Sequence, residues 1–182
     1  MNTNKKQTWL ANGLILLGIA GRLLPHLPNV TPVGAVSLVG GAKLSRLWRW
    51  MIPFIALVFT DALLGFSFST PFVYAAFAIS ILLGQFVQGD KRYFKLGTFC
   101  VIGSLQFFII TNFGVWMEGL LYPKTVAGLM QCYAMALPFL RNTLMGDLAW
   151  SFGLFILIEK AQALVRERTM DSGPWTMDQK IS

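Results

Sequence analysis

Charge is scarce in this chain. Of 182 residues, 13% are charged against 55% hydrophobic, and the mean hydropathy is +0.59. Soluble domains carry about a quarter charged residues, so an ordinary water-soluble globule is not the expected class. Metal ligands are as sparse. The single histidine, His26, has no cysteine, histidine or paired carboxylate at ligand spacing, which argues against a metal site. The two cysteines, Cys100 and Cys132, begin successive apolar segments and are expected at opposite faces of a membrane, too far apart for a disulfide. No glycine-rich phosphate-binding loop occurs, so the chain is not expected to be its own ATPase. Internal repeats and low-complexity tracts are missing as well, and no cofactor is expected.

What is present is apolar length. A bilayer crossing takes about 20 apolar residues at about 1.5 Å each, so this length accommodates five or six helices and no separate aqueous domain. Charge-poor stretches fall at about 8–24, 32–45, 51–69, 71–89, 96–117 and 138–158. The second is short and carries Gly34, Gly40 and Gly41, so it reads as a short, broken or re-entrant segment. The N-terminus also has the layout of a secretory signal, with Lys5 and Lys6 before an apolar run and Gly18 and Ala20 as a small-x-small site. That run leads directly into a polar cluster and further apolar segments, which favours retention as a first membrane helix.

The net charge of +7 would suggest a nucleic-acid partner in a soluble protein. Sorted by side, it reads as topology. With six crossings and both termini cytoplasmic, twelve of the fifteen Lys and Arg fall inside, leaving Arg22, Lys124 and Arg141 outside. Trp9, Trp48, Trp50 and Tyr93 then form an inner aromatic belt, with Tyr74, Trp116 and Tyr122 in an outer one. The external connection from 118 to 137 has the composition of a helix lying over the bundle as a lid, and 169–182 that of a flexible cytoplasmic tail after a membrane domain of 1–168. The fold expected is an all-α integral membrane protein, a single six-helix bundle.

Chemistry must come from polar groups that a membrane makes costly. Asp61 and Asp147 lie mid-segment, and each would cost about 2.5–3.5 kcal/mol facing lipid, so both should turn inward. Arg22 and Arg141 are the natural counter-charges; if the four groups are only structural, they pair as Arg22 with Asp61 and Arg141 with Asp147. On the sixth segment Thr143, Gly146, Asp147, Trp150 and Gly153 share a helical face. A proline-stiffened cluster on the outer side holds His26, Asn29 and Thr31. A third cluster contains Asn112, Trp116 and Tyr122, and all three converge on one end of the bundle.

The run Arg22-Leu-Leu-Pro25-His26-x-Pro28-Asn29-x-Thr31-Pro32-x-Gly34-Ala35, with Asp61, Asn112-Phe-Gly-Val-Trp116, Tyr122-Pro-x-Thr125 and Pro138-Phe-x-x-Asn142-Thr143-Leu-x-Gly146-Asp147, resembles a bacterial family described as S components of energy-coupling-factor (ECF) transporters. The resemblance spans about 15 to 160. It implies a six-helix substrate-binding subunit of the bacterial inner membrane that captures a vitamin-like molecule or metal ion near its outer face. It also implies partners in trans, a transmembrane T component and a pair of ATPases. S components commonly dock through Ala-x-x-x-Ala on the first helix, a spacing that Ala11, Gly18 and Gly21 lack. On this reading the substrate-binding residues are Arg22, His26, Asn29, Thr31, Asp61, Asn112, Trp116, Tyr122, Arg141, Asn142 and Asp147. Two other classes compete: a membrane scaffold whose buried ion pairs fix helix register, and an intramembrane hydrolase in which Asp61 and Asp147 share a proton.

Overall fold

The computed structural model describes residues 3–25 and 30–171, and among them every regular element is a helix. In chain order these are α1 (Thr3–Leu23), α2 (Val33–Lys43), α3 (Arg46–Leu64), α4 (Thr70–Gly84), α5 (Arg92–Glu118) and α6 (Val126–Asp171). Local chemistry sets several boundaries. Gly65 and Gly119 adopt positive φ, +98° and +74°, immediately after α3 and α5, a conformation that ends a helix at little cost only for glycine. Pro71 sits in the first turn of α4, where a missing N–H removes no helical bond.

The helices alternate in direction. The C-terminal ends of α1, α3 and α5 meet the N-terminal ends of α2, α4 and α6 at one end of the bundle, through contacts such as Arg22 with Asp61 and Phe72 with Phe113. At the other end, Lys43 of α2 and Arg92 of α5 both reach Glu159 of α6. These are called the Arg22 end and the Lys43 end.

α2 occupies the centre and touches every other helix. Eight of its eleven residues are buried, a consequence of small and apolar side chains around its whole circumference. Gly41 of α2 and Gly84 of α4 bring the two backbones into contact, since a Cβ on Gly84 would overlap the Leu38 carbonyl and lie 3.0 Å from Gly41 Cα. The second apolar segment is therefore short but unbroken. The five outer helices present large apolar side chains outward, among them Leu16, Phe59, Leu82, Ile109 and Leu157. Of the helices, α3 and α5, at 19 and 27 residues, are each long and apolar enough to cross a membrane.

Two expectations are corrected. The segment expected as a separate lid is the beginning of α6, which runs without interruption through Pro138 for 46 residues. Proline removes its own N–H and its ring crowds the carbonyl four residues before it, yet the turns on either side carry the helix past it. Tyr74 does not join an outer belt: its ring packs edge-on to Phe54 and its hydroxyl is buried near Asp61, without a partner in hydrogen-bonding geometry. The small residues of α1 are occupied inside the bundle, Ala11 being fully buried, Gly18 lying against Ala56 and Gly21 against Pro32. α6 continues to Asp171, and 172–182 of the expected tail lie outside the described residues.

Candidate functional site

A cavity of about 210 Å³ opens within the Arg22 half of the bundle, lined by residues of five helices and the α1–α2 connection. Its polar lining is Arg22, Thr31, Ser80, Thr143 and Asp147, and its apolar walls include Val73, Phe77 and Phe107. A second space of about 250 Å³ adjoins it, sharing Val73, Phe107 and Thr143 and adding Ser69, Thr111 and Asn112. Together the two reach the size range of small-molecule sites. Past Asp147 the space narrows to a cleft of about 10 Å³ beside Cys100 and Ser151. Beyond that, Ala11, Leu38, Ile52, Leu96, Phe155 and their neighbours form a continuous apolar core that fills the Lys43 half.

Two carboxylates anchor the site in different ways. Arg22 Nη2 donates to Asp61 Oδ1 at 2.6 Å, an ion pair whose carboxylate side chain is 7% exposed. Asp147 Oδ2 accepts from Ser104 Oγ at 2.7 Å. The Ser104 hydroxyl also lies 3.1 Å from the Cys100 carbonyl, but one hydroxyl has one proton, and the shorter, charge-assisted bond to Asp147 takes it. Asp147 Oδ1 rests against Gly34, where a Cβ would collide with it, so the glycine makes room for the carboxylate.

The expected partnership of Arg141 with Asp147 does not form, because Arg141 is exposed. Six residues at about 100° each turn its side chain about 120° away from Asp147, whereas Thr143, four residues before, shares the cavity face. The buried seam of α6 continues through Ser151 and Leu154, not through the exposed Trp150 or Gly153. Asp61 and Asp147, offered as a proton-sharing pair, engage different partners.

Of the other expected site residues, Thr31 lines the cavity and Asn112 the adjoining space, its amide donating to the Phe108 carbonyl at 2.8 Å. Trp116 donates its indole N–H to the Pro123 carbonyl at 3.0 Å and, like Tyr122, lines neither space. Asn142 is half-buried and hydrogen-bonded or otherwise engaged, also away from these walls. His26 and Asn29 lie outside the described residues.

Sequence reasoning passed over Ser80, Ser104 and Gln106. Gln106 Nε2 donates to the Ala76 carbonyl at 2.8 Å and to Ser80 Oγ at 3.1 Å, tying α5 to α4 behind the cavity wall. The signal was available in the spacing Cys100, Gly103, Ser104, Phe107, Thr111, a single helical face of small and polar residues.

A second polar cluster ties the Lys43 end. Glu159 accepts from Lys43 Nζ and the Tyr93 hydroxyl, both at 2.7 Å, and Arg92 Nε stands 2.8 Å away as an ion pair without hydrogen-bond alignment. Burial raises the Glu159 carboxyl, but the bonds from Lys43 and Tyr93 and the Lys43 and Arg92 charges outweigh it and hold it below the ordinary glutamate range.

Comparison with known families gives one match. A family of unknown function, DUF6580, covers residues 2–169. The chain belongs to the DUF6580 family. No curated protein and no solved structure matches it. Across that matched span lie all the groups described above, including the Arg22–Asp61 pair, the Gly34–Asp147 contact and the Glu159 cluster.

Proposed function

We propose that this DUF6580 chain is a multi-pass protein of the bacterial inner membrane that captures a small molecule in the Arg22-end cavity. In the finer form of this reading, it is the substrate-binding S subunit of an ECF-type importer. All six helices then cross, both termini are cytoplasmic and the Arg22 end faces outward. The outward-facing large apolar side chains support the membrane setting, since soluble monomers rarely expose contiguous apolar surface beyond a few hundred Å².

The observation that carries the reading is the cavity itself, polar inside an apolar bundle, lying in the Arg22 half and backed by a solid apolar core in the Lys43 half. A capture subunit needs this asymmetry, an accessible site on one side and a sealed floor on the other. Release to the cytoplasm then requires reorientation by a transmembrane T component and ATPases in trans.

The test is purification of the full chain in detergent, with untargeted mass spectrometry of co-purifying small molecules and identification of co-purifying subunits. A stoichiometric small molecule lost in a Phe107→Trp variant that fills the cavity, together with a T subunit, is the expected result. Absence of both retires the reading. A scaffold role is the second reading, favoured by the buried Arg22–Asp61 pair and the Glu159 cluster, which fix helix register without any ligand. It predicts that the Phe107→Trp variant keeps full cellular function.

A further inference from the structure

The polar atoms around the cavity are not balanced between donors and acceptors. Thr143 Oγ1 donates its only proton to the Phe139 carbonyl at 2.9 Å, so toward the cavity it offers lone pairs alone. Ser80 Oγ is similar, donating to the Ala76 carbonyl at 3.2 Å while receiving the Gln106 amide. Asp147 accepts one bond from Ser104, and an ionised carboxylate has room for about four.

Charge points the same way. Arg22, the cation of the lining, already neutralises Asp61, whereas Asp147 has no ion-pair partner among the described residues. An unpaired carboxylate in such surroundings is unfavourable until a cation or several donors reach it. A metal ion would need several oxygen or nitrogen ligands, and no group of three His, Cys, Asp or Glu side chains converges among the described residues. An ammonium group needs less, because each of its N–H bonds finds a separate acceptor.

The charged donor of the lining is at the opposite kind of position. Arg22 Nη1 is buried without a partner, and its guanidinium lines the same cavity. A volume of about 210 Å³ equals about seven waters at about 30 Å³ each, and on the order of ten covalently linked non-hydrogen atoms. Phe77 and Phe107, with ring centroids 5.1 Å apart, supply a wall for a flat apolar middle.

We infer that the cavity selects a small organic ammonium compound, its N–H donors held by Asp147 with Thr143 and its far end, an acceptor or carboxylate, held by Arg22. This assignment rests on the reading of the cavity as a ligand site and names the substrate class that the reading leaves open.

Three matched probes test it on the full-length chain in detergent, by calorimetry and by the rise in unfolding temperature: benzylamine (ammonium only), benzoate (carboxylate only) and 4-(aminomethyl)benzoate (both). The expected order of affinity is 4-(aminomethyl)benzoate, then benzylamine, then benzoate. Asp147→Asn, which retains the shape and the acceptor for Ser104, should weaken both amines at least about tenfold, the range of one charge-assisted bond. Thr143→Val leaves the carboxylate in place and should weaken the amines by a smaller factor, which keeps the assignment testable if Asp147→Asn does not fold. Arg141→Gln, outside the cavity, should change nothing. The inference is overturned if benzoate binds as well as benzylamine, if neither amine binds, or if Asp147→Asn binds both amines undiminished. A neutral or anionic molecule co-purifying with the chain while the amines fail would overturn the ammonium assignment alone and leave small-molecule capture standing. Amine binding without any co-purifying T subunit would retire the importer assignment and keep the selectivity.

Discussion

Replacing Gly84 with alanine adds one methyl group at the place where α4 crosses the central helix. The methyl would overlap the Leu38 carbonyl oxygen and lie 3.0 Å from Gly41 Cα, and both obstacles are backbone atoms that cannot rotate aside. Ordinary carbon contacts are about 3.5–4.0 Å, so α2 and α4 must part by roughly 1 Å along their contact. Overpacking of this kind costs about 1–3 kcal/mol. Alanine recovers little of its usual helical advantage of about 1 kcal/mol, because Gly84 is the last residue of α4. For a chain of this size each kcal/mol moves Tm by about 2–4 °C, which places the fall at about 2–12 °C. The comparison variant is Gly153→Ala on α6, where a Cβ meets nothing within 4 Å and the helix gains its full propensity. Its Tm should rise by about 2–4 °C. Differential scanning fluorimetry of both variants in one detergent gives the answer. Equal shifts of the same sign would show that the α2–α4 crossing is not close-packed at these glycines.

Arg22→Met and Asp61→Leu should each destabilise by about 3–5 kcal/mol by stranding the other charge, while the double variant recovers most of the loss, measured by chemical unfolding as a double-mutant cycle. Because the Glu159 carboxyl is held low in the folded protein, the unfolded chain takes up its proton at higher pH. The stabilisation is complete above the ordinary glutamate value of 4.5 and is lost as pH falls through the lower folded value. A Tm series from pH 7 to pH 3 should flatten in Glu159→Gln relative to the parent, and parallel curves would refute this. Trp116→Phe removes one hydrogen bond to Pro123, costing about 0.5–1.5 kcal/mol, and should leave the affinity of the amine probes unchanged because Trp116 does not line the cavity. Loss of binding in that variant would show that ligand reaches the α5–α6 connection.

The apolar stretches of the sequence anticipate all six helices, and the shared face of Thr143 and Asp147 anticipates one wall of the cavity. Burial of Asp61 and its pairing with Arg22 were legible for the same reason, the cost of an ion against apolar surroundings. Three features were hidden by distance or by ambiguity. Pro138 reads as a boundary, yet the turns on either side carry the helix past it, and the expected lid dissolves into α6. Arg141 lies near Asp147 along the chain, and only the 100° step shows that they point apart. Ser80 and Ser104 resemble packing residues because a serine on an apolar helix ordinarily satisfies itself on the preceding turn. Ser104 becomes a site residue only through Asp147, 43 positions away.

The central placement of α2 also bears on how the protein is made. Eleven residues give a helix of about 16 Å, barely half of a hydrocarbon core of about 30 Å, so α2 alone is a poor membrane segment. α4, which closes against it at Gly84, is translated after it, as are α5 and α6. On the proposed six-span reading, a ribosome that has finished only α1 to α3 displays a segment too short to hold its place, waiting for Gly84 to arrive and close against Gly41. Chains truncated before α4 should be degraded in the cell instead of accumulating as half-bundles, and the order of synthesis becomes part of what the glycine crossing has to accommodate.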